Sequence, residues 1–136
     1  MSNSDWRREQ RPIVIEDTDI DHMGHVNNAV YLRWVQETVI AHWARIAPPK
    51  EFARHLWIAL KHEITYRRAA FAGDRLTAVA ELEDFRGARS TYRTQVRRGD
   101  ECLAEAFSHW CSIDAVTHRP LRLARNPRGR LNTQLL

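Results

Sequence analysis

One segment constrains this chain more than any other. From Asn28 to Ala47, the residues Val30, Tyr31, Trp34, Val35, Thr38, Val39, His42, Trp43 and Ile46 recur at spacings of three and four. That is the period of a helix with one wide, aromatic, buried face. The side chain of Asn27 or Asn28 can cap the first turn by accepting from its orphan amides. Pro48-Pro49 close the segment, because proline disfavours helix before it and cannot continue one. The helix is about 28 Å long at 1.5 Å per residue. No other stretch has a helical pattern of this length, so whatever sheet the chain forms must be served by a single helix.

The remaining segments read as strands. Pro12–Asp17 holds the β-branched run Ile13-Val14-Ile15. Leu56–Arg68 starts apolar and becomes mixed, and Asp74–Asp84 alternates Leu76, Ala78, Ala80 and Leu82 against Thr77, Val79, Glu81 and Glu83. Arg89–Arg97 sets Tyr92, Thr94 and Val96 on one face. Glu101–Ala115 sets Leu103, Phe107, Cys111 and Ile113 against Cys102, Ala104, Ala106 and Trp110. Gly73-Asp74, Gly87 and Gly99-Asp100 mark tight connections between these runs. The order is strand, long helix, then about four strands in series, which is an α+β domain with one helix on a curved antiparallel sheet. With 136 residues the chain is expected to be one domain over 1–136, with 1–10 and 124–136 as peripheral tails. One helix leaves much of the sheet to cover, so pairing of copies is expected.

Charge excludes some functions. The net charge is +4, but residues 1–114 carry 16 basic and 17 acidic groups, a net of −1. The excess sits in Arg119, Arg122, Arg125, Arg128 and Arg130, after the last acid, Asp114. Such a tail reads as a solvated terminus or as an attractor for an anionic ligand. No nucleic-acid-binding motif accompanies it. The longest clean apolar run, Leu56–Leu60, is far short of the ~20 residues of a membrane span. Met1–Gln10 is polar and lacks the apolar core of a secretory signal. Cys102 and Cys111 are the only cysteines and form no CxxC, which fits reduced thiols in the cytoplasm. No spacing of His, Cys, Asp and Glu suggests a metal site.

The stretch from Asp17 to Tyr31 (DTDIDHMGHVNNAVY) is dense in acid, His, Gly and Asn and runs straight into the helix. Two readings of these residues stand side by side. In one it is a polar turn whose acids complement the helix dipole, whose Gly24 turns the chain and whose Asn residues cap. In the other the free amides of the helix N-terminus hold a developing oxyanion while a carboxylate activates water, which is acyl-group chemistry.

The run Asp21-x-x-Gly24-His25-Val26-Asn27-Asn28-x-x-Tyr31-Leu32 resembles the signature of hot-dog-fold acyl-CoA thioesterases of the 4-hydroxybenzoyl-CoA thioesterase class. Gly73-Asp74, Arg86-Gly87-x-Arg89-Ser90, Leu103-Ala104-Glu105-Ala106 and Asp114-x-x-Thr117-x-Arg119-Pro120 follow in the order the class shows. The resemblance covers about 11–123. It implies a helix wrapped by a five- or six-stranded antiparallel sheet, homodimers or homotetramers with sites at the subunit interface, and no cofactor. It also implies thioester hydrolysis of acyl-CoA, with Asp21 as general base or nucleophile and helix amides as the oxyanion hole. His25 and Asn27 would orient water or carbonyl, Gly24, Asn28 and Tyr31 would contact substrate, and Arg86 and Arg89 would meet CoA phosphates. The chain is similar, too, to the second half of plant acyl-ACP thioesterases, in which an Asn stands where Met23 does. That makes an acyl carrier protein thioester an alternative substrate, and a non-catalytic acyl-CoA-binding protein a third reading.

Other residues are weighed against this site. Glu37 on the helix is a reserve for Asp21, and His62 with Glu63 lies on a strand that can line a pocket. His22 reads as a loop histidine and His42 as a packed one. Trp34, Trp43, Trp57 and Trp110 read as core, with one or two able to border an acyl channel.

Overall fold

The computed structural model describes residues 6–123; residues 1–5 and 124–136, with the tail arginines Arg125, Arg128 and Arg130, lie outside the described part. The elements in chain order are β1 (Arg8–Ile13), a 3-10 turn (Asp17–Asp19), α1 (Asn28–Ile46), α2 (Pro49–Arg54), β2 (His55–Tyr66), β3 (Leu76–Arg86), β4 (Arg89–Arg98) and β5 (Glu101–Asp114). All strand pairs are antiparallel and the sheet order is β1-β3-β4-β5-β2. This is the hot-dog architecture, one long helix held in a five-stranded sheet.

The helix forms where its stripe requires. Tyr31, Trp34, Val35, Thr38, Val39, His42, Trp43 and Ile46 are its buried residues, and Asn27 caps it with a side-chain bond to the Ala29 amide. Pro48 and Pro49 do more than end it. Pro49 opens the short α2, a position where its fixed φ and missing N–H are harmless. The first strand begins at Arg8, earlier than the Ile13-Val14-Ile15 run suggested and inside the segment expected as a tail. Its sequence, REQRPI, is polar because it is an edge strand, paired only with β3. Pro12 is tolerated there because an edge leaves one side of the ladder free.

On β3 and β4 the expected inward faces are buried: Leu76, Ala78, Ala80 and Leu82, then Tyr92, Thr94 and Val96. On β5 the even positions Ala104, Ala106, Ser108, Trp110 and Ser112 point inward, and Phe107 faces out. Leu103 is buried as well, because the register slips there: Val96 pairs with Ala104 and Arg97 with Cys102, leaving Leu103 as the extra residue.

The core splits into two clusters along α1. One lies near its start, with Val26, Tyr31, Trp34, Leu76, Val96 and Leu103. The other lies under its second half, with Val39, Trp43, Leu82, Phe85, Tyr92 and Trp110. Burying a side chain the size of Leu82 or Phe85 contributes about 2 kcal/mol. Ring contacts such as Trp43–Trp57, with centroids 5.1 Å apart, add about 1 kcal/mol each. The helix backbone lies nearest β1 and β3 and meets β2 mainly through rings such as Trp43 against Trp57 and His55. The inner face of β2, including Trp57, Ala59, His62 and Ile64, is therefore only half-buried. Among the described residues no helix is long and apolar enough to cross a membrane.

Candidate active site

The loop between the 3-10 turn and α1 is built from its own backbone outward. Asp19 is 1% exposed. One carboxylate oxygen accepts the Glu16 amide at 2.9 Å, and the other takes Arg33 Nη2 at 3.0 Å. The Asp19 carbonyl accepts the Asn27 amide, and the Ala70 carbonyl accepts the Val26 amide, at 2.9 and 2.8 Å. Asp19 and Arg33 thus bolt both ends of the loop to the helix. From the sequence Asp19 is only one of the acids that complement the helix dipole; an acid before a helix carries no sign that an arginine one and a half helical turns inside it will close on it.

Asp21 sits at the tip. Its amide donates to the His25 carbonyl and its carbonyl accepts the Gly24 amide, at 2.9 and 3.0 Å. Its Oδ1 accepts the Met23 amide at 2.9 Å. Its Oδ2 lies 3.6 Å from His25 Nδ1, longer than a hydrogen bond. The tight reversal needs φ +87° at Gly24, a region costly for any residue with a Cβ. Both side chains reach the surface, with 15% exposure for Asp21 and 29% for His25. The Phe71 ring stands edge-on to the imidazole, centroids 6.4 Å apart.

The sequence-predicted residues divide by position. Asp21, Gly24 and His25 are brought together in this turn. Asn27 uses its side-chain oxygen on the Ala29 amide and its carbonyl on the Val30 amide, so it is the helix cap. Asn28 opens α1; its carbonyl accepts the Tyr66 hydroxyl at 2.9 Å. Its amide is the first N–H of α1, one of the orphan donors of a helix N-terminus. Tyr31 is buried between Tyr66 and Trp34, and that burial raises its phenol above the usual range against a smaller opposing pull from the Ala70 backbone. Tyr66 was not singled out from the sequence. The signal was there: a twelve-residue β2 returning along α1 must end beside the helix start.

Arg86 and Arg89 lie elsewhere. They face each other across the β3–β4 hairpin, and Arg89 is level with Cys111 on β5, whereas Tyr66 beside the loop is level with Ala104. Seven residues of strand separate the two levels, about 23 Å. Glu37 is also remote. It borders a cleft of about 330 Å³ between β1 and α1, with Arg11, Ile13, Glu16, Arg33 and Trp34. There it meets Arg33 Nε at 3.4 Å, and its carbonyl accepts from Arg11. Among the described residues no three His, Cys, Asp or Glu side chains converge as a metal site.

The arrangement offers a carboxylate with one oxygen fixed by an amide and the other beside an imidazole, at the mouth of a helix N-terminus. That is equipment for activating water or attacking a carbonyl and for holding the negative charge that develops.

The profile described as the thioesterase-like superfamily matches residues 15–127. The long-chain acyl-CoA thioesterase FadM of Escherichia coli (strain K12) is 28% identical over 130 residues, covering 90% of this chain and 96% of that protein. The solved structure of YbaW, a probable thioesterase from Escherichia coli, is 25% identical with a TM-score of 0.73 over 93% of this chain and 96% of that one. A thioesterase complexed with coenzyme A and Zn from Thermus thermophilus shares the fold, at 22% identity and TM-score 0.77 over 91% of this chain and 97% of that one.

Proposed function

The chain belongs to the thioesterase-like superfamily, and we propose that it hydrolyses acyl-CoA to the free acid and CoA, with Asp21 as the central catalytic group. The observation that carries this reading is the Asp21 carboxylate, pinned at Oδ1 by the Met23 amide and left at Oδ2 beside His25, directly ahead of α1. Asp21 acts as general base on water, or attacks the thioester carbonyl to give a mixed anhydride that water then opens. Either way a C–O bond forms, the C–S bond breaks, and CoA leaves as the thiolate, which ends as the thiol by taking up the proton that the attacking water gives up. The carbonyl oxygen, as it gains charge, meets the Asn28 amide and the positive end of α1. His25 orients the water. Asn27 contributes by capping, which keeps the Ala29 and Val30 amides occupied and leaves Asn28 to the substrate. Gly24 lets the backbone approach, and Tyr31 walls the acyl entrance.

The active unit is a homodimer or a pair of dimers. β2 is a sheet edge whose outer face exposes Leu56, Ile58 and Leu60, a surface suited to a second copy. Edge-to-edge antiparallel pairing would also turn the neighbouring copy's β3–β4 hairpin toward the Asp21 end. Arg86 and Arg89 would then serve the phosphates of a CoA bound at the other copy's site. Light scattering on the purified protein should read a dimer or tetramer mass; a monomer would leave the hairpin arginines without this role. Both described cysteines are free, in keeping with a cytoplasmic setting.

The test is free-thiol release from a panel of acyl-CoAs, short to long and aromatic, beside matched carrier-protein thioesters. The reading expects turnover of CoA esters. Release from carrier-protein esters alone, or tight binding with no release, contradicts it.

A further inference from the structure

Under the second half of α1 the sheet carries polar atoms that the fold does not use. Trp43 Nε1, Trp57 Nε1, Trp110 Nε1 and His62 Nε2 are buried and without a hydrogen-bond partner among the described residues. Trp110 is 3% and Trp43 1% exposed. The four rings are contiguous: Trp43–Trp57 centroids lie 5.1 Å apart, Trp57–Trp110 6.4 Å and His62–Trp110 5.5 Å. Each buried, unpaired donor costs about 1–3 kcal/mol, and phenylalanine would supply an aromatic ring without that cost. Native interiors hold few such groups, and each calls for an explanation.

The three indoles of the row are donors only, and the hydroxyls of Ser90, level with Trp110, and Thr94, level with Ala106, are buried beside them, likewise without a partner among the described residues. An indole N–H only donates. His62 Nδ1 lies 2.9 Å from the hydroxyl of Ser108, itself wholly buried. When that hydroxyl donates to Nδ1, the proton of a neutral imidazole sits on Nε2 and adds a fourth donor to the three indoles. Burial alone lowers the pKa of His62, keeping the ring neutral. The floor beside the row is small, with Ala59, Ala106 and Ser108 facing inward. No positive charge stands in the row, so a carboxylate there would be buried without a partner, which is prohibitive. What fits is a neutral oxygen acceptor.

The row has a fixed place relative to the catalytic loop. Tyr66, bonded to the Asn28 carbonyl, and His62 lie on the same strand in unbroken register with β5. Four residues separate them, about 13 Å, with Ile64 between them on the inner face. An acyl chain that entered at Tyr66 and followed β2 inward would bring its distal half to His62 and Trp110. Resting on the thioesterase reading above, we propose that these donors form the far end of the acyl channel and select acyl groups carrying a distal oxo or hydroxyl oxygen over plain alkyl chains.

The experiment compares kcat/KM for dodecanoyl-CoA and for its distal oxo and hydroxy derivatives, in wild type, Trp110→Phe and Trp57→Phe, with thermal melts to show each variant folded. The expected result is a preference of at least tenfold for an oxygenated ester in wild type that falls toward one in Trp110→Phe. Should Trp110→Phe fail to fold, the fall is read in Trp57→Phe. A wild-type preference at or below one overturns the proposal, as does a preference that both folded variants keep; the donors then serve bound water or structure alone. If no ester is hydrolysed, the thioesterase reading itself fails. Titration of the same esters, followed by tryptophan fluorescence, then decides the pocket separately: tenfold tighter binding of an oxygenated ester upholds it, and equal binding overturns it.

Discussion

The two ends of α1 treat their polar groups in opposite ways. At the N-terminal end the buried Asp19 carboxylate is engaged by the Glu16 amide and Arg33, and the Asn27 side chain by the Ala29 amide, while the side chains of Asp21 and His25 still reach solvent. At the other end polar groups are shut in. His42 is there fully used: its Nε2–H donates to the Trp6 carbonyl, and its Nδ1 therefore accepts from the Tyr92 hydroxyl. His25 and His42 are the same residue type on either side of one helix. One has a carboxylate neighbour and access to water, and the other has neither free nitrogen nor access. Reactivity in this fold follows from what the backbone leaves unoccupied, not from which side chains are present.

The sharpest way to break this comparison is acid. Burial lowers His42 from 6.5 to about 4, with Arg45 pushing the same way and Glu9 and the Trp6 hydrogen bond opposing. Its folded pKa is below its unfolded value, so the unfolded state binds the extra proton between them. The stability it contributes is complete above pH 6.5 and is lost as pH falls toward 4, by about 3 kcal/mol in all. Urea melts between pH 7.5 and 5 should show about 2 kcal/mol of this loss, ahead of carboxylate titration, and His42→Gln should remove it. Equal stability at both pH values in wild type would mean that His42 is not sealed as described. A smaller effect is expected at the other end. Asn27→Ala should cost about 1 kcal/mol of stability through the lost cap, seen as a Tm drop of several degrees. Its effect on kcat should stay well below that of replacing Asp21. A loss of activity as large as Asp21's would instead make Asn27 a direct participant.

Much of this was legible beforehand because it rests on periodicity and short-range chemistry. The stripe from Tyr31 to Ile46 fixes α1 and its buried face, Pro48-Pro49 fix its end, and Asn27 its cap. Asp21, Gly24 and His25 were legible as a group because a five-residue turn keeps them together whatever the rest does. What depended on distant pairing was not. Polar β1 does not read as a strand, since an edge needs no apolar face. The inward face of β5 could not be chosen from alternation alone, because both of its faces are partly apolar and a bulge at Leu103 breaks the period. The separation of Arg86 and Arg89 from Asp21 follows from strand register, and the closing of Arg33 on Asp19 from tertiary packing; neither is written in spacing.

The central claim is that Asp21 is the group around which the rest of the loop is arranged. The most direct measurement is free-thiol release by Asp21→Asn and wild type from the best acyl-CoA of the panel, with melts on both. Asn keeps the size and an acceptor for the Met23 amide but removes charge and basicity. The account predicts a folded protein whose kcat falls by two or more orders of magnitude, the scale of lost acid–base catalysis. Full activity in a folded Asp21→Asn protein would contradict it and turn attention to His25 or Glu37.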